Sequence, residues 1–140
     1  EGSAVSFWIL VMPHIVIAED DPAMRQFLAV ALTRAGHQVA SFPDGATAHT
    51  YLVDLDRPVD LLLTDIVMPG MDGIELSTRV RGLRPLLPVL YITGFGVTVP
   101  ERLAVNGRAA QILAKPLHLN NLLAEVTRHL AQSSTGYPQK

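Results

Sequence analysis

Short apolar runs alternate with helical patterns along the chain, and this alternation constrains the fold more than any other feature of the sequence. Turn residues follow each apolar run at once, which is typical of short buried strands. The strands are predicted over residues 14–18, 38–42, 60–64, 89–93 and 110–114. The helices are predicted over residues 22–35, 46–54, 73–83, 101–105 and 119–131. Five strands joined by helices require a parallel sheet covered on both faces, so the sequence predicts one α/β domain.

Local signals predict how several helices begin and which faces they bury. Asp21 and Asp72 stand where helix N-caps are expected, and Asp44 before Gly45 indicates a turn. Apolar residues recur at helical spacing in the first and last helices, which predicts that these faces are buried. They are Met24, Phe27, Leu28, Ala31 and Leu32 in the first helix, and Leu119, Leu122, Leu123, Val126 and Leu130 in the last.

Polar side chains end or directly follow four of the predicted strands. Glu19 and Asp20 follow the first strand, and Asp65 follows the third. Thr93 ends the fourth strand, and Lys115 follows the fifth. The carboxyl ends of parallel strands lie at one edge of a sheet, so these side chains are expected to converge there. Carboxylates about 5 Å apart repel by roughly 3 kcal/mol per pair at an effective dielectric near 20, so a cation is expected among them.

The types of these side chains indicate which ligands they bind. An all-oxygen ligand set without His or Cys favours Mg²⁺ or Mn²⁺ over Zn²⁺. A cation beside a lysine and a hydroxyl suits a phosphoryl group, because the cation and Lys115 neutralise its oxygens while Thr93 donates a hydrogen bond. A carboxylate nucleophile in such a site forms an aspartyl-phosphate.

Composition excludes several other classes of protein. The 140 residues carry a net charge of −2 and no basic run, which argues against direct binding of nucleic acid. The chain has no cysteine, which excludes disulfides and thiolate sites and fits a reducing cytoplasm. The apolar stretch at residues 4–12 is too short to cross a membrane and lacks the pattern of a signal peptide. Residues 1–13 are therefore expected to be an N-terminal extension, residues 14–131 the domain, and residues 132–140 a flexible tail.

Five short motifs together resemble the receiver domain of bacterial response regulators. They are VIAEDDP (16–22), LTDIVMP (63–69), MDG (71–73), YITG (91–94) and LAKP (113–116). The resemblance implies a flavodoxin-like (βα)5 fold with a parallel sheet in the order 2-1-3-4-5. It also implies a cytoplasmic phosphoprotein of a two-component phosphorelay, which accepts a phosphoryl group from a sensor histidine kinase or a phosphotransfer protein.

The same resemblance implies a role for each site residue. Asp65 would be the phosphoacceptor, with Thr93 moving toward the phosphoryl group and Lys115 pairing with it. Asp20, Asp65 and the backbone carbonyl of Val67 would hold Mg²⁺, and Glu19 would assist through water. The peptide bond between Lys115 and Pro116 would be cis. Such a protein is not an enzyme, although it catalyses its own phosphorylation and slow dephosphorylation.

The chain departs from the family pattern in its last predicted strand. Ile112 stands where the family usually has an aromatic switch residue, so the signal is expected to pass through residues 94–100, where Phe95 is the bulky candidate.

Several functions remain open at this level. The chain is similar to stand-alone alpha-proteobacterial receivers, some of which are adaptors for an energy-dependent protease. It could equally be a receiver excised from a hybrid kinase or a multidomain regulator. A phosphatase with an aspartate nucleophile needs a second Asp two residues later, where Val67 stands. The intact Asp65, Thr93 and Lys115 argue against a receiver that only binds partners.

Overall fold

The computed structural model describes residues 12–94 and 111–134, with side chains described as far as residue 131. The strands are β1 (His14–Ala18), β2 (Gln38–Phe42), β3 (Leu61–Asp65), β4 (Val89–Thr93) and β5 (Gln111–Ala114). The helices in these ranges are α1 (Pro22–Arg34), α2 (Gly45–Leu52), α3 (Gly73–Leu83) and α4 (Leu119–Ser134). The predicted helix at residues 101–105, the residues around Phe95, most of the N-terminal extension and the end of the tail lie outside the described residues.

The five strands form one parallel sheet in the order β2-β1-β3-β4-β5, which confirms the predicted fold. β1 and β3 are therefore central neighbours, and their carboxyl ends lie side by side. β3 begins and ends one residue later than predicted, so Asp65 belongs to the strand and pairs in register with Ile92. The ladder continues past the carboxylate, because the amide of Ile66 donates to the carbonyl of Ile92 at 2.9 Å.

Two apolar layers cover the sheet. Alternate strand residues face opposite layers, as the period of a strand requires. One layer packs α2 and α3 against Val16, Leu62 and Tyr91, and the other packs α1 and α4 against Ile17, Leu63 and Ile92. Among the described helices, none combines the length and apolar character that crossing a membrane requires.

Aspartate side chains begin three of the helices. Asp21 accepts a hydrogen bond from the amide of Met24, and Asp72 from the amide of Glu75, as predicted. Asp44 was predicted to form a turn but is the N-cap of α2, which begins at Gly45.

The predicted apolar faces of α1 and α4 are only partly buried. Leu28, Leu32, Leu122 and Val126 are fully buried, but Phe27 and Leu119 are 38% and 47% exposed. These two side chains line a groove of about 570 Å³ between the helices, so the apolar stripe is wider than the strip that contacts the sheet.

Candidate functional site

Three carboxylates meet at the carboxyl edge of the two central strands. Glu19 and Asp20 directly follow β1, and Asp65 is the last residue of β3. Each of the three offers an oxygen atom within 4.8 Å of those of the other two. Glu19 and Asp65 are buried, whereas Asp20 is exposed and leaves the cluster open to solvent. The structure therefore brings together the three predicted acidic residues.

Lys115 reaches this cluster from the end of β5. Its Nζ atom lies 2.9 Å from Oδ2 of Asp65 and 3.8 Å from Oε1 of Glu19. Burial alone would lower the pKa of Lys115, but the hydrogen bond to Asp65 and the nearby negative charges leave its pKa above the usual value. The ammonium group is therefore charged at neutral pH and lies against the carboxylate that is the predicted phosphoacceptor.

Glu19 is the most deeply buried acid of the cluster. Its Oε2 accepts a hydrogen bond from the amide of Asp21 at 3.0 Å, while its Oε1 is buried and has no hydrogen-bond partner among the described residues. Burial raises the pKa of Glu19 to about 7, and the neighbouring charge of Asp65 contributes in the same direction.

These features fit a divalent cation. A buried carboxylate oxygen without a donor is costly unless a cation or a proton compensates it. The three acids offer only oxygen ligands, which are those that Mg²⁺ and Mn²⁺ prefer. One oxygen of Asp65 contacts Lys115, and the other accepts a 3.3 Å hydrogen bond from the amide of Val67. The predicted use of the Val67 carbonyl as a ligand stays a prediction.

Thr93 lies at the same edge, as the last residue of β4. It is buried, and its hydroxyl donates to the carbonyl of Gly94 at 3.3 Å. Its own carbonyl accepts a 2.8 Å hydrogen bond from the amide of Lys115, which links the ends of β4 and β5. The peptide bond between Lys115 and Pro116 is cis, as the resemblance implied. Ile112, at the position of the family's aromatic, is 39% exposed on β5.

Two further residues support the site, and neither of them was predicted from the sequence to have a role there. Gly73, the first residue of α3, lies so close to β3 that a Cβ atom added there would be 2.0 Å from the carbonyl oxygen of Asp65. Arg25, in the first turns of α1, donates from its side chain to the carbonyls of Glu19 and Asp20. The position of Gly73 directly after the cap Asp72 was a usable signal in the sequence, but the sequence contains no comparable signal for Arg25.

Comparison with known proteins agrees with this architecture. The model of the response regulator receiver domain family matches residues 15–127. The response regulator receiver protein CpdR of Brucella abortus (strain 2308) is 44% identical over 119 residues, which cover 85% of this chain and 98% of CpdR. The chain therefore belongs to the response regulator receiver domain family, a component of two-component systems.

Solved structures agree as well. A receiver domain protein from Clostridium thermocellum has a TM-score of 0.81 at 19% identity, covering 90% of this chain and 100% of its own, and shows the shared fold. The receiver domain of the hybrid histidine kinase CckA has a TM-score of 0.70 at 29% identity, covering 84% of this chain and 98% of its own.

Proposed function

We propose that this protein is a phosphorylation-dependent signalling switch in which Asp65 accepts a phosphoryl group. The observation that carries the proposal is the 2.9 Å contact between Lys115 and Asp65 inside a cluster of three carboxylates at the open edge of the sheet. A nucleophilic carboxylate that is paired with a fixed cation, in a cluster that the exposed Asp20 leaves open to solvent, suits the acceptance of an anionic phosphoryl group.

The donor in this proposal is a phosphohistidine on a sensor histidine kinase or a phosphotransfer protein. An oxygen of Asp65 attacks the phosphorus atom, a P–O bond forms, and the electron pair of the P–N bond returns to the imidazole nitrogen. Lys115 shifts from the free carboxylate to the oxygens of the bound phosphoryl group. The hydroxyl of Thr93 leaves the carbonyl of Gly94 and donates to the same group, which is how phosphorylation alters the end of β4.

Mg²⁺ or Mn²⁺ belongs to the same proposal. Asp20, Asp65 and the carbonyl of Val67 would hold the ion, with Glu19 assisting. When bound, the ion neutralises charge on the transferred group. Asp20 is exposed, so it can exchange water for the ion, whereas the buried Glu19 holds its oxygens in place through the amide of Asp21.

The chain is proposed to be a switch and not an enzyme that turns over other substrates. Val67 stands two residues after Asp65, where an aspartate-nucleophile phosphatase needs a second acid, and it has no group that could transfer a proton. Its catalysis would be limited to its own phosphorylation and slow dephosphorylation.

The proposed partners are an upstream kinase or phosphotransfer protein and a downstream protein, all in the cytoplasm. One such output is a role as an adaptor for a protease. A stand-alone receiver and a receiver that is part of a hybrid kinase or a multidomain regulator both agree with this proposal.

The test uses acetyl phosphate, a small phosphodonor, with Mg²⁺. The wild-type protein should gain one phosphoryl group by intact mass, and a chelator should prevent the gain. Asp65→Asn should abolish it, because the amide is a poor nucleophile. The matched control is Asp56→Asn, the same change at an exposed acid in another loop, which should be labelled like the wild type. Unchanged labelling of the Asp65→Asn protein would refute the assignment.

A further inference from the structure

The side chain of Arg25 folds back from α1 onto the segment that carries two of the three acids. Its backbone amide donates to the carbonyl of Asp21 at 2.9 Å, as a residue in the first turns of a helix should. Its Nη1 atom donates to the carbonyl of Glu19 at 2.8 Å and reaches that of Asp20 at 3.5 Å. The side chain is half-buried, so the guanidinium is held against the segment.

These two carbonyls belong to the peptide units on either side of Asp20. Fixing both units restricts the two backbone dihedrals of Asp20 and therefore the direction of its Cα–Cβ bond. The strand pairing cannot supply this constraint, because the pairing of β1 with both neighbours ends at Ala18. The only ladder-like contact beyond it among the described residues joins the amide of Glu19 to the carbonyl of Phe42 at 3.0 Å.

We propose that Arg25 is a positioning residue that fixes the backbone around Asp20 and so aims its carboxylate at the cation site. The planar guanidinium is suited to this because its several donors are held in a fixed geometry. This inference rests on the proposed function, since it assigns Arg25 to the cation site of that proposal.

The sign of one measurement separates this role from a simple charge effect. Arg25 is positive, so electrostatics alone predicts that its removal strengthens the binding of a cation nearby. A positioning role predicts the opposite, because a misdirected Asp20 is a poorer ligand. Residues that orient metal ligands typically contribute 10- to 100-fold to metal affinity, so Arg25→Ala should weaken Mg²⁺ binding by roughly 10-fold. Alanine is a good helix former, so α1 itself is not weakened by the change.

The experiment is a calorimetric titration of the full chain with Mg²⁺. The matched control is Arg34→Ala, which removes the same charge from the last turn of the same helix, where the side chain is exposed. The control should bind Mg²⁺ as tightly as the wild type or slightly more tightly. The loss in Arg25→Ala should persist at high salt, because the lost constraint is conformational and is not screened.

A second readout needs no metal. The amide of Asp21, which donates to Glu19 Oε2, should exchange its hydrogen faster in Arg25→Ala because the segment around it is released. Arg25→Lys keeps the charge, but its shorter side chain lacks the terminal Nη1 atom that reaches both carbonyls. It should therefore also weaken Mg²⁺ binding, and it tests the positioning role of Arg25 if the alanine variant does not fold.

The outcomes are distinguishable from failure of the proposed function. If the wild type binds Mg²⁺ and is phosphorylated but both variants bind Mg²⁺ equally well or better, the role of Arg25 is wrong and the switch stands. If the wild type neither binds Mg²⁺ nor accepts a phosphoryl group, the cation site is wrong, and the role of Arg25 falls with it.

Discussion

Replacing Gly73 by alanine tests whether the start of α3 must lie close against the end of β3, which carries the proposed phosphoacceptor. The added Cβ atom would lie 2.0 Å from the carbonyl oxygen of Asp65 and 2.9 Å from its carbonyl carbon. Both are backbone atoms of β3, so no flexible side chain can swing away. The backbones must separate by at least about 1 Å to reach 3.0 Å, below which such contacts are essentially never seen.

The expected cost combines two terms. Forcing an extra methyl group into a packed site costs about 1–3 kcal/mol. The separation also stretches the 2.9 Å hydrogen bond from the amide of Gly73 to the carbonyl of Ile66, which is worth about 0.5–1.5 kcal/mol. Gly73→Ala should therefore lower the free energy of unfolding by roughly 2–4 kcal/mol, a large share of the 5–15 kcal/mol typical of a domain.

Gly82 provides a matched control in the same helix. An added Cβ atom meets nothing within 4 Å there, and the residue is exposed near the end of α3. Gly82→Ala should be neutral or stabilise the protein by up to about 1 kcal/mol, because alanine is the better helix former. The same chemical change is thus expected to act in opposite directions at the two ends of one helix.

Urea unfolding of both variants measures the difference. We expect a lower midpoint for Gly73→Ala and an equal or higher midpoint for Gly82→Ala, with similar slopes. Under conditions where Gly73→Ala is still folded, acetyl phosphate should label it more slowly, because Asp65 is displaced relative to Lys115. A free energy of unfolding for Gly73→Ala within about 0.5 kcal/mol of the wild type would show that the close approach to β3 is not a real constraint.

Two further predictions concern the core and the pH response. Tyr91→Phe removes the donor of a buried 2.6 Å hydrogen bond to Ser77, whose hydroxyl still donates to the carbonyl of Ile74, so denaturation should show a loss of about 0.5–1.5 kcal/mol. The effect should disappear when the change is made in a Ser77→Ala background, and equal losses in both backgrounds would contradict it. Burial lowers the pKa of His37 below its ordinary value of 6.5, so the unfolded chain takes up this proton first as the pH falls. The contribution of His37 to stability should be full above pH 6.5 and decrease below it. His37→Asn should make this decrease smaller in urea midpoints measured down to pH 5. Identical slopes of midpoint against pH in the two proteins would disprove the assignment.

Most of the fold follows from local patterns that the sequence displays. The strands at residues 14–18, 38–42 and 89–93 and the helix at residues 73–83 lie where the sequence predicts them. Alternation of strand and helix signals requires a parallel sheet, and a parallel sheet places the ends of its strands at one edge. The convergence of Glu19, Asp20, Asp65 and Lys115 could therefore be predicted without coordinates.

The predictions that failed or were never made depend on distances between elements. Phe27 and Leu119 have the spacing of buried residues, but the width of the gap between α1 and α4 leaves them partly exposed. The buried Nε2 atom of His129 and the contact between Tyr91 and Ser77 are likewise set by how helices rest on the sheet. Sequence periodicity indicates which face of a helix is apolar, but it does not indicate how closely that face approaches the neighbouring helix or sheet.

The sequence by itself determined the order of the elements, the parallel sheet and the chemical types that meet at its carboxyl edge, because these follow from periodicity and chain connectivity. Only the tertiary structure decided that Lys115 contacts Asp65 across 50 residues of sequence, that Glu19 Oε1 finds no donor within the described part of the chain, and that Gly73 lies against β3. It also decided that Arg25 folds back onto the acidic segment. The physical reason is that hydrogen bonds and steric contacts change over tenths of an ångström, and such distances are set by the packing of the whole domain.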